Sequence, residues 1–326
     1  MKTKYIIWKK KIFQIILTII FIWLIGMYLF QNQDLLIYVQ NLNIIDAIVL
    51  ISFHIGTLFV LGLLNMILVK RIDPKVSFSD SILLQYVNNL LNNLIPKGGS
   101  AFRAVYLQNR YHFPYSHFLS TLAGMFVLNI AINSIFALLS FLFIYIDRGF
   151  YSVLLIMFYL GILILSLVII GFNPSLNNRN NRILKALDSI VEGWKLLKTN
   201  SRDLYWLILL GSTNLLMKSF QMKYLYTRLG VQAGIFEMIY LTTVAIIMQL
   251  INLTPGGIGA REALYALSDQ IVSIPSSILV LGSLVQRGIL FVSALLFGGI
   301  SLLILQQRMQ NSDISAILNY KDSQVD

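Results

Sequence analysis

Long uninterrupted apolar runs constrain this chain more than any other feature of its sequence. A helix needs about 20 apolar residues to cross the hydrocarbon of a bilayer, and several runs reach that length. The alternating pattern of membrane β-barrel strands is absent. With 57% apolar and only 12% charged residues, the 326-residue chain also has too little polar surface to cover a soluble globule. We therefore predict an all-α polytopic membrane protein.

The apolar runs predict six full spans and two shorter helical segments. The predicted spans are 12–30, 45–69, 117–146, 151–171, 204–225 and 276–305, the last being either one long span or two segments. The shorter segments, 79–95 and 235–254, each end in a Pro/Gly break, at 96–99 and 255–259. A helix stopped by such a break and followed by another short helix is typical of a hairpin that enters the membrane and returns. We predict two re-entrant hairpins.

The two breaks belong to an internal repeat. When residues 91–106 are placed over 250–265, at a constant offset of 159, eight of the sixteen positions are identical. The same offset places 45–69 over 204–228. Each half then holds three spans and one hairpin, and an odd number of spans turns the second half upside down. This predicts an inverted repeat, with an old duplication that retains packing but no transport as the alternative.

The domain organisation follows from that repeat. We predict a first membrane repeat at 1–171, a basic cytoplasmic linker at 172–203, a second repeat at 204–305 that takes the span 151–171 as its first helix, and a polar cytoplasmic tail at 306–326.

The positive charge is distributed unevenly along the predicted topology. The formal net charge is +11, and most of the 25 Lys and Arg residues fall in segments that a cytoplasmic N-terminus would place in the cytoplasm. The positive-inside rule favours this orientation in the cell membrane. Nucleic-acid binding is not expected, because no basic cluster stands apart from a membrane boundary. The basic segment 179–202 is a candidate contact for anionic headgroups.

The Pro/Gly breaks carry the most specific chemistry. Each opens a helix with small residues in its first turn, where backbone N–H groups are accessible to an anion. Arg103 and Arg261 follow, and guanidinium groups suit bidentate phosphate recognition. We predict that Arg103, Arg261 and Arg287 bind a lipid phosphate, while Glu262 orients Arg261 or selects a cationic headgroup. The predicted cleft backbone consists of Pro96, Gly98, Gly99, Pro255, Gly256, Gly257 and Gly259.

A plainer interpretation stays open for these arginines: they would extend from a boundary to the interface, with Glu262 as an anion at the helix start. Other ionisable residues in the apolar runs fit similar roles. Lys218, Glu237 and Asp269 are expected to reach an interface, and His54 to form a hydrogen bond within the bundle.

Several classes of site are not expected. The chain has no Cys, and its three His residues are scattered, so we predict neither a metal nor a cofactor. Motifs for ATP, sugar nucleotides, intramembrane aspartyl proteolysis and zinc proteolysis are absent. An enzyme is therefore not the favoured reading of the sequence.

The segments 93–103 and 254–262 resemble the paired motifs of the lysylphosphatidylglycerol synthase transmembrane-region family, also called flippase-like proteins. Arg287 resembles an arginine that members carry after the second hairpin. The resemblance implies a module that moves aminoacylated phospholipids between leaflets, sometimes fused to a cytoplasmic aminoacyl-transferase domain. We do not expect the synthase activity here, since only a short polar segment follows 305 in this sequence. The chain also departs from the family at Ser100, Met125 and Phe126, where acidic or Arg residues are common.

Taken together, these patterns predict a flippase-like transporter that moves phospholipid or lipid-linked headgroups through a polar cleft between the hairpins. Its partners would be those lipids and a lipid-modifying enzyme. One alternative is a channel or transporter for ions or small solutes. Two others are a membrane anchor for a lipid-modifying enzyme and an integral membrane lipid transferase.

Overall fold

The computed structural model of the chain describes residues 36–71, 73–95, 97–113, 115–172, 201–251 and 259–309, together with residues 27 and 34. Within these ranges every regular element is a helix. The predicted first span, the linker from 173 to 200 and the tail after 309 lie outside the described residues, apart from residue 27. The prediction of an all-α membrane protein is confirmed for the described part of the chain.

The helices follow one another with short connections. They are α1 (Leu36–Gln40), α2 (Ile44–Lys70), α3 (Phe78–Leu94), α4 (Gly98–Tyr111), α5 (Tyr115–Arg148), α6 (Val153–Phe172), α7 (Ser201–Arg228), α8 (Ile235–Ile251), α9 (Ala260–Ala266), α10 (Asp269–Val272) and α11 (Ser276–Met309). The stretch Ala294–Gly298 of α11 is π-helical. The segment 276–305 is therefore one continuous helix rather than two segments.

Among the described residues, four helices are long and apolar enough to cross a membrane: Ile44–Lys70, Leu122–Arg148, Val153–Gly171 and Ser276–Met309. They coincide with four of the predicted spans. The predicted span 204–225 lies in α7, whose 28 residues give a length of about 42 Å. Its length suits a membrane span, but α7 is more polar than the other four.

The polarity of α7 has a structural reason, because its amide side chains face α2. Asn214 donates to the carbonyl oxygen of Thr57 at 2.9 Å. Gln221 donates to the carbonyl oxygen of Leu50 at 2.7 Å. An amide facing lipid without a partner would cost several kcal/mol, so burial against another helix makes these residues tolerable. The opposite face of α7 presents apolar side chains such as Leu209 to the outside.

α2 and α7 run antiparallel and are joined at both ends by ion pairs. Arg228, at the end of α7, lies 2.8 Å from the carboxylate of Asp46 at the start of α2. At the other end, Arg71 lies 3.3 Å from the carboxylate of Asp203. The two helices therefore stay in register, in opposite directions, over their whole length.

α3 and α4 form a helical hairpin, the first hairpin (78–111), whose open ends meet. Tyr111, at the end of α4, donates to the Asp80 carboxylate at 2.7 Å. Its hydroxyl also accepts a hydrogen bond from the N–H of Ser77, at 3.2 Å. Near the tip, a Cβ on Gly99 would lie 2.2 Å from the carbonyl oxygen of Asn88, so only glycine permits this close approach of the two helices.

α8, α9 and α10 form a second hairpin (235–272). The hydroxyl of Tyr240 lies 3.3 Å from that of Ser268. Tyr265 donates to the carbonyl oxygen of Leu241 at 3.1 Å. The chain that leaves along α8 therefore returns beside the beginning of the same helix. The tip of this hairpin, 252–258, lies outside the described residues.

Each hairpin packs against the last helix of the other half of the chain. α3 lies along α11, and α8 lies along α5. Near the end of α11, Arg308 forms an ion pair with Asp80, the third residue of α3. At the end of α5, Arg148 lies 2.6 Å from Glu237, the third residue of α8. The same arrangement of helix, hairpin and terminal ion pair thus occurs twice.

The apolar core and the apolar outer surface are separate. The largest buried cluster joins α5, α7, α8 and α11 and includes the fully buried Tyr226 and Tyr265. α6 instead exposes large apolar side chains, among them Leu154, Met157 and Leu165. A helix that is apolar on its exposed face is expected to contact lipid.

Candidate functional site

A buried carboxylate organises the polar cluster at the second hairpin. Glu262, on α9, is only 4% exposed. Its two oxygens accept hydrogen bonds from the N–H of Gly259 at 2.8 Å, the hydroxyl of Ser283 at 2.7 Å and the Nε of Arg287 at 2.7 Å. Arg287 Nη2 lies 3.4 Å from the second oxygen. Glu262 therefore joins α9 to α11 through a charged pair inside an apolar bundle.

Arg261 lies next to this pair and is bound by neutral groups. It is 7% exposed, and its Nη2 donates to the side-chain oxygen of Gln286. Its guanidinium lies 5.0 Å from the centre of the Tyr265 ring, a cation–π contact. Its buried Nε has no hydrogen-bond partner within the described part of the chain. Among the described residues the buried Arg261 charge therefore has no ion pair with a carboxylate, an arrangement that costs free energy unless an anion binds.

Lys218 lies in the middle third of α7, and its side chain is partly buried. His54 forms the hydrogen bond expected within the bundle, to the Asn89 side chain at 3.1 Å.

The first hairpin buries its arginine in a network of amides. Arg103, on α4, is 5% exposed and donates to the Asn65 side-chain oxygen at 2.7 Å. The amide nitrogen of Asn65 in turn donates to Gln85 at 2.7 Å. The Arg103 guanidinium lies 5.4 Å from the centre of the Phe118 ring. Arg103 therefore has the same kinds of partner as Arg261, an amide oxygen and an aromatic ring.

The backbone N–H groups expected to hold an anion have protein acceptors where the structure describes them. Gly98 N–H donates to Ile95 O at 2.9 Å, and Gly99 N–H to the Asn92 side chain at 3.0 Å. Gly259, with φ of 87°, donates to Glu262 instead. These glycines therefore shape the backbone rather than offer open donors. Pro96, Pro255, Gly256 and Gly257 lie outside the described residues.

Several residues of the cluster were missed by the sequence analysis. Ser283 is a polar position in an apolar run, three residues before Gln286 and four residues before Arg287, so both are its neighbours on the surface of α11. That spacing was a usable signal. Gln85 lies three and four residues before Asn88 and Asn89 on α3, so its spacing was a signal as well. Asn65 gave none, because it is an isolated polar residue in an apolar part of α2 and its partners lie on other helices. The family resemblance leads one to expect a charged residue at position 125. This chain has Met125 there, and its side chain is buried among apolar side chains.

The described residues contain no group of His, Cys, Asp and Glu side chains that could hold a metal ion. The candidate site is thus defined by cationic side chains, one carboxylate and several amides. This chemistry suits an anionic ligand rather than a cation.

The apolar helices and the polar cluster buried among them define the class of this protein, a polytopic α-helical membrane protein. The chain belongs to the family described as the lysylphosphatidylglycerol synthase TM region, whose family model matches residues 11–298. The chain is also similar to the UPF0104 membrane protein MJ1595 of Methanocaldococcus jannaschii, at 21% identity over 322 residues, covering 90% of this chain and 95% of the relative. No solved structure matches the chain.

Proposed function

We propose that this protein is a flippase-like lipid transporter that passes phospholipid or lipid-linked headgroups between leaflets while the acyl chains stay in the bilayer. The observation that carries the proposal is the environment of the Arg261 side chain. This guanidinium is almost fully buried, donates to a neutral amide and has no carboxylate partner within the described residues. A phosphate would supply the missing charge and the missing acceptors.

Each predicted site residue has a role in this proposal. Arg261 binds the phosphate directly, and Arg103 provides a second phosphate contact at the first hairpin. Arg287 contributes positive charge while it pairs with Glu262, and Glu262 fixes the position of α9 against α11. The glycines of the two tips, together with Pro96 and Pro255, shape the cleft.

The helix directions support an inverted repeat. The repeat offset places α2 over α7, and these two helices run antiparallel. The open end of the first hairpin adjoins the end of α11, whereas the open end of the second adjoins the end of α5. In the proposed topology the two hairpins therefore enter the membrane from opposite sides, and their tips meet the substrate within it.

We place the protein in the cell membrane with its N-terminus in the cytoplasm, since this orientation puts the basic segments on the cytoplasmic side. Single cysteines can be introduced at the exposed Asn109 and Gln270, because the chain has no native Cys. An impermeant thiol reagent applied to intact cells should label Gln270→Cys only. Labelling of both positions from outside would contradict the inverted arrangement.

Lipid movement is best measured after reconstitution into liposomes that contain a fluorescent lipid, with a quencher restricted to the outer leaflet. The parent protein should expose inner-leaflet lipid to the quencher. Arg261→Lys keeps the charge but loses the planar fork, so it should retain partial activity. Arg261→Ala should lower the rate roughly ten- to hundredfold, as expected for a lost charge-assisted contact.

Asp269→Asn serves as the control for these variants, since Asp269 is a charged residue of the same hairpin outside the cluster. Rates should be normalised to folded protein in the liposomes. Parental rates in both Arg261 variants would remove Arg261 from the site. Ion flux without lipid movement would instead identify a channel.

A further inference from the structure

The π-helical turn Ala294–Gly298 divides α11 into two parts that contact different hairpins. The part before the turn belongs to the polar cluster, where Arg287 donates to the Glu262 carboxylate at 2.7 Å. The part after the turn belongs to the first hairpin, where Arg308 forms an ion pair with Asp80. One helix therefore connects the candidate site at the second hairpin with the open end of the first hairpin.

The end of α11 is held by both helices of the first hairpin. The Arg308 guanidinium pairs with Asp80 and lies 3.2 Å from the Ser79 hydroxyl, both on α3. From α4, Arg110 donates to the carbonyl oxygen of Arg308 at 2.8 Å and lies 3.1 Å from the buried Asp80 carboxylate. These four residues, Ser79, Asp80, Arg110 and Arg308, form the latch that fixes α11 against the open end of this hairpin.

Close packing against α3 holds the π-helical turn in place. A Cβ on Gly298, the last residue of the turn, would lie 2.6 Å from the Leu90 Cβ. The rings of Phe297 and Tyr86 are in contact, with 6.3 Å between their centres. A Cβ on the next residue, Gly299, would meet nothing within 4 Å. The contact with α3 therefore requires glycine at 298, and a second glycine beside it makes the backbone easier to rearrange.

The turn depends on these contacts, because it is not a favourable arrangement by itself. Turns of π-helix are rare and occur mostly as single turns within α-helices, frequently at functional sites. Ser293, directly before the turn, is fully buried, and its hydroxyl has no hydrogen-bond partner within the described part of the chain. An unpaired buried hydroxyl costs free energy. Loss of the contacts with α3 would therefore favour regular α-helix.

From these contacts we infer that the π-helical turn is a register switch that controls the latch. A π turn, with its i→i+5 hydrogen bonds, holds one residue more than an α turn. When it converts to α-helix, the part of α11 after it rotates by about 100° and advances by about 1.5 Å, the step of one residue. Arg308 then leaves Asp80, and the open end of the first hairpin separates from α11. The inference rests on the proposed lipid transport, in which this separation opens the cleft on the side of the latch.

Deletion of Leu296, an exposed residue of the turn, tests the switch directly. It removes the extra residue, so regular α-helix then keeps both parts of α11 in the orientation that the structure shows. Transport in the fluorescent-lipid assay should fall about tenfold or more, because the state with the open latch becomes scarce. The unfolding midpoint should not fall. Leu296→Ala is the matched control: it shortens the same side chain but keeps the length of the turn, so its transport should equal that of the parent.

The switch can also be followed without transport. Spin labels on Asn109→Cys and Gln307→Cys occupy exposed positions next to the latch residues Arg110 and Arg308, in a chain without native Cys. The parent protein should show two label distances, because a rotation of about 100° moves a label across a helix that is about 10 Å wide. The protein without Leu296 should show one distance, that of the closed latch.

A reversible cross-link separates loss of motion from loss of folding, because the same protein is measured with and without it. Ser79→Cys and Arg308→Cys can be joined by a reducible bifunctional thiol reagent about as long as an arginine side chain. Transport should stop after cross-linking and return after reduction. The same reagent on Ser79→Cys alone should leave transport unchanged.

Parental transport by the protein without Leu296, or by the cross-linked protein, would overturn the inference and leave lipid transport standing. A single label distance in the parent would overturn it as well. Two label distances in a parent protein that moves no lipid would instead overturn the proposed function and retain the switch.

Discussion

The two hairpins give their arginines similar partners but different charge environments. Arg103 and Arg261 each donate to an amide oxygen, from Asn65 and Gln286. Each guanidinium also lies over an aromatic ring, at 5.4 Å and 5.0 Å from the ring centre. In the second hairpin a buried carboxylate, Glu262, lies next to the arginine in the sequence and pairs with Arg287 of α11. In the first hairpin the buried carboxylate, Asp80, lies at the open end and pairs with Arg308.

This difference shows that the repeat preserves packing more strictly than charge. Tyr106 and Tyr265, which correspond at the repeat offset, are both fully buried and both donate a hydrogen bond to the first helix of their own hairpin. The charged residues do not correspond, since the offset places Arg103 over Glu262. The buried tyrosine thus packs both hairpins in the same way, whereas the charged residues occupy different positions in the two halves.

The sharpest test of the comparison is a matched pair of arginine replacements. Arg287→Met leaves the buried Glu262 without its ion partner, so we expect it to lower the free energy of unfolding by about 3–5 kcal/mol. Arg103→Met removes a buried charge that has only neutral partners among the described residues, so it should not destabilise the protein. Thermal unfolding in detergent, followed by intrinsic tryptophan fluorescence, measures both.

The double replacement Arg287→Met with Glu262→Leu should recover much of the lost stability, because it removes both charges of the pair. Similar losses in the Arg287→Met and Arg103→Met proteins would mean that the two hairpins do not differ in the way described here.

A smaller effect is expected from the packing of the first hairpin. Gly99→Ala puts a Cβ 2.2 Å from the Asn88 carbonyl oxygen, so α3 and α4 must separate, at a cost of about 1–3 kcal/mol. Gly161→Ala on α6 meets nothing within 4 Å and should be neutral or slightly stabilising. Unfolding midpoints of the two variants, measured side by side, test this contrast. A Gly99→Ala protein as stable as the parent would show that the hairpin tip is not closely packed.

The smallest effects are expected at the open ends of the hairpins, where the two ion pairs also differ. Arg148→Ala removes the ion partner of the buried Glu237 and should cost about 1–2 kcal/mol. Arg308→Ala leaves Asp80 with Arg110 at 3.1 Å and two tyrosine hydroxyls, so its cost should stay below about 1 kcal/mol. Arg148→Ala should therefore show the lower unfolding midpoint and the lower protease resistance in liposomes, and Arg308→Ala should stay closer to the parent protein. The reverse ranking would contradict the hydrogen-bond pattern around Asp80.

Hydropathy and spacing were sufficient to predict the helical class, four apolar spans and the positions of both hairpins. These properties depend on local sequence, because a run of apolar residues must form its backbone hydrogen bonds within itself in lipid. The sequence also identified Arg103, Arg261, Glu262 and Arg287 as candidates, since charge in an apolar run is costly and therefore conspicuous.

The tertiary structure alone decided which of these residues meet. Separate helices must pack together before Glu262 can pair with Arg287 and before Arg103 can donate to Asn65. A single polar residue in an apolar helix does not reveal which neighbour it faces. The partner of a buried charge is set by contacts between residues far apart in the chain, and hydropathy along the sequence carries no information about those contacts.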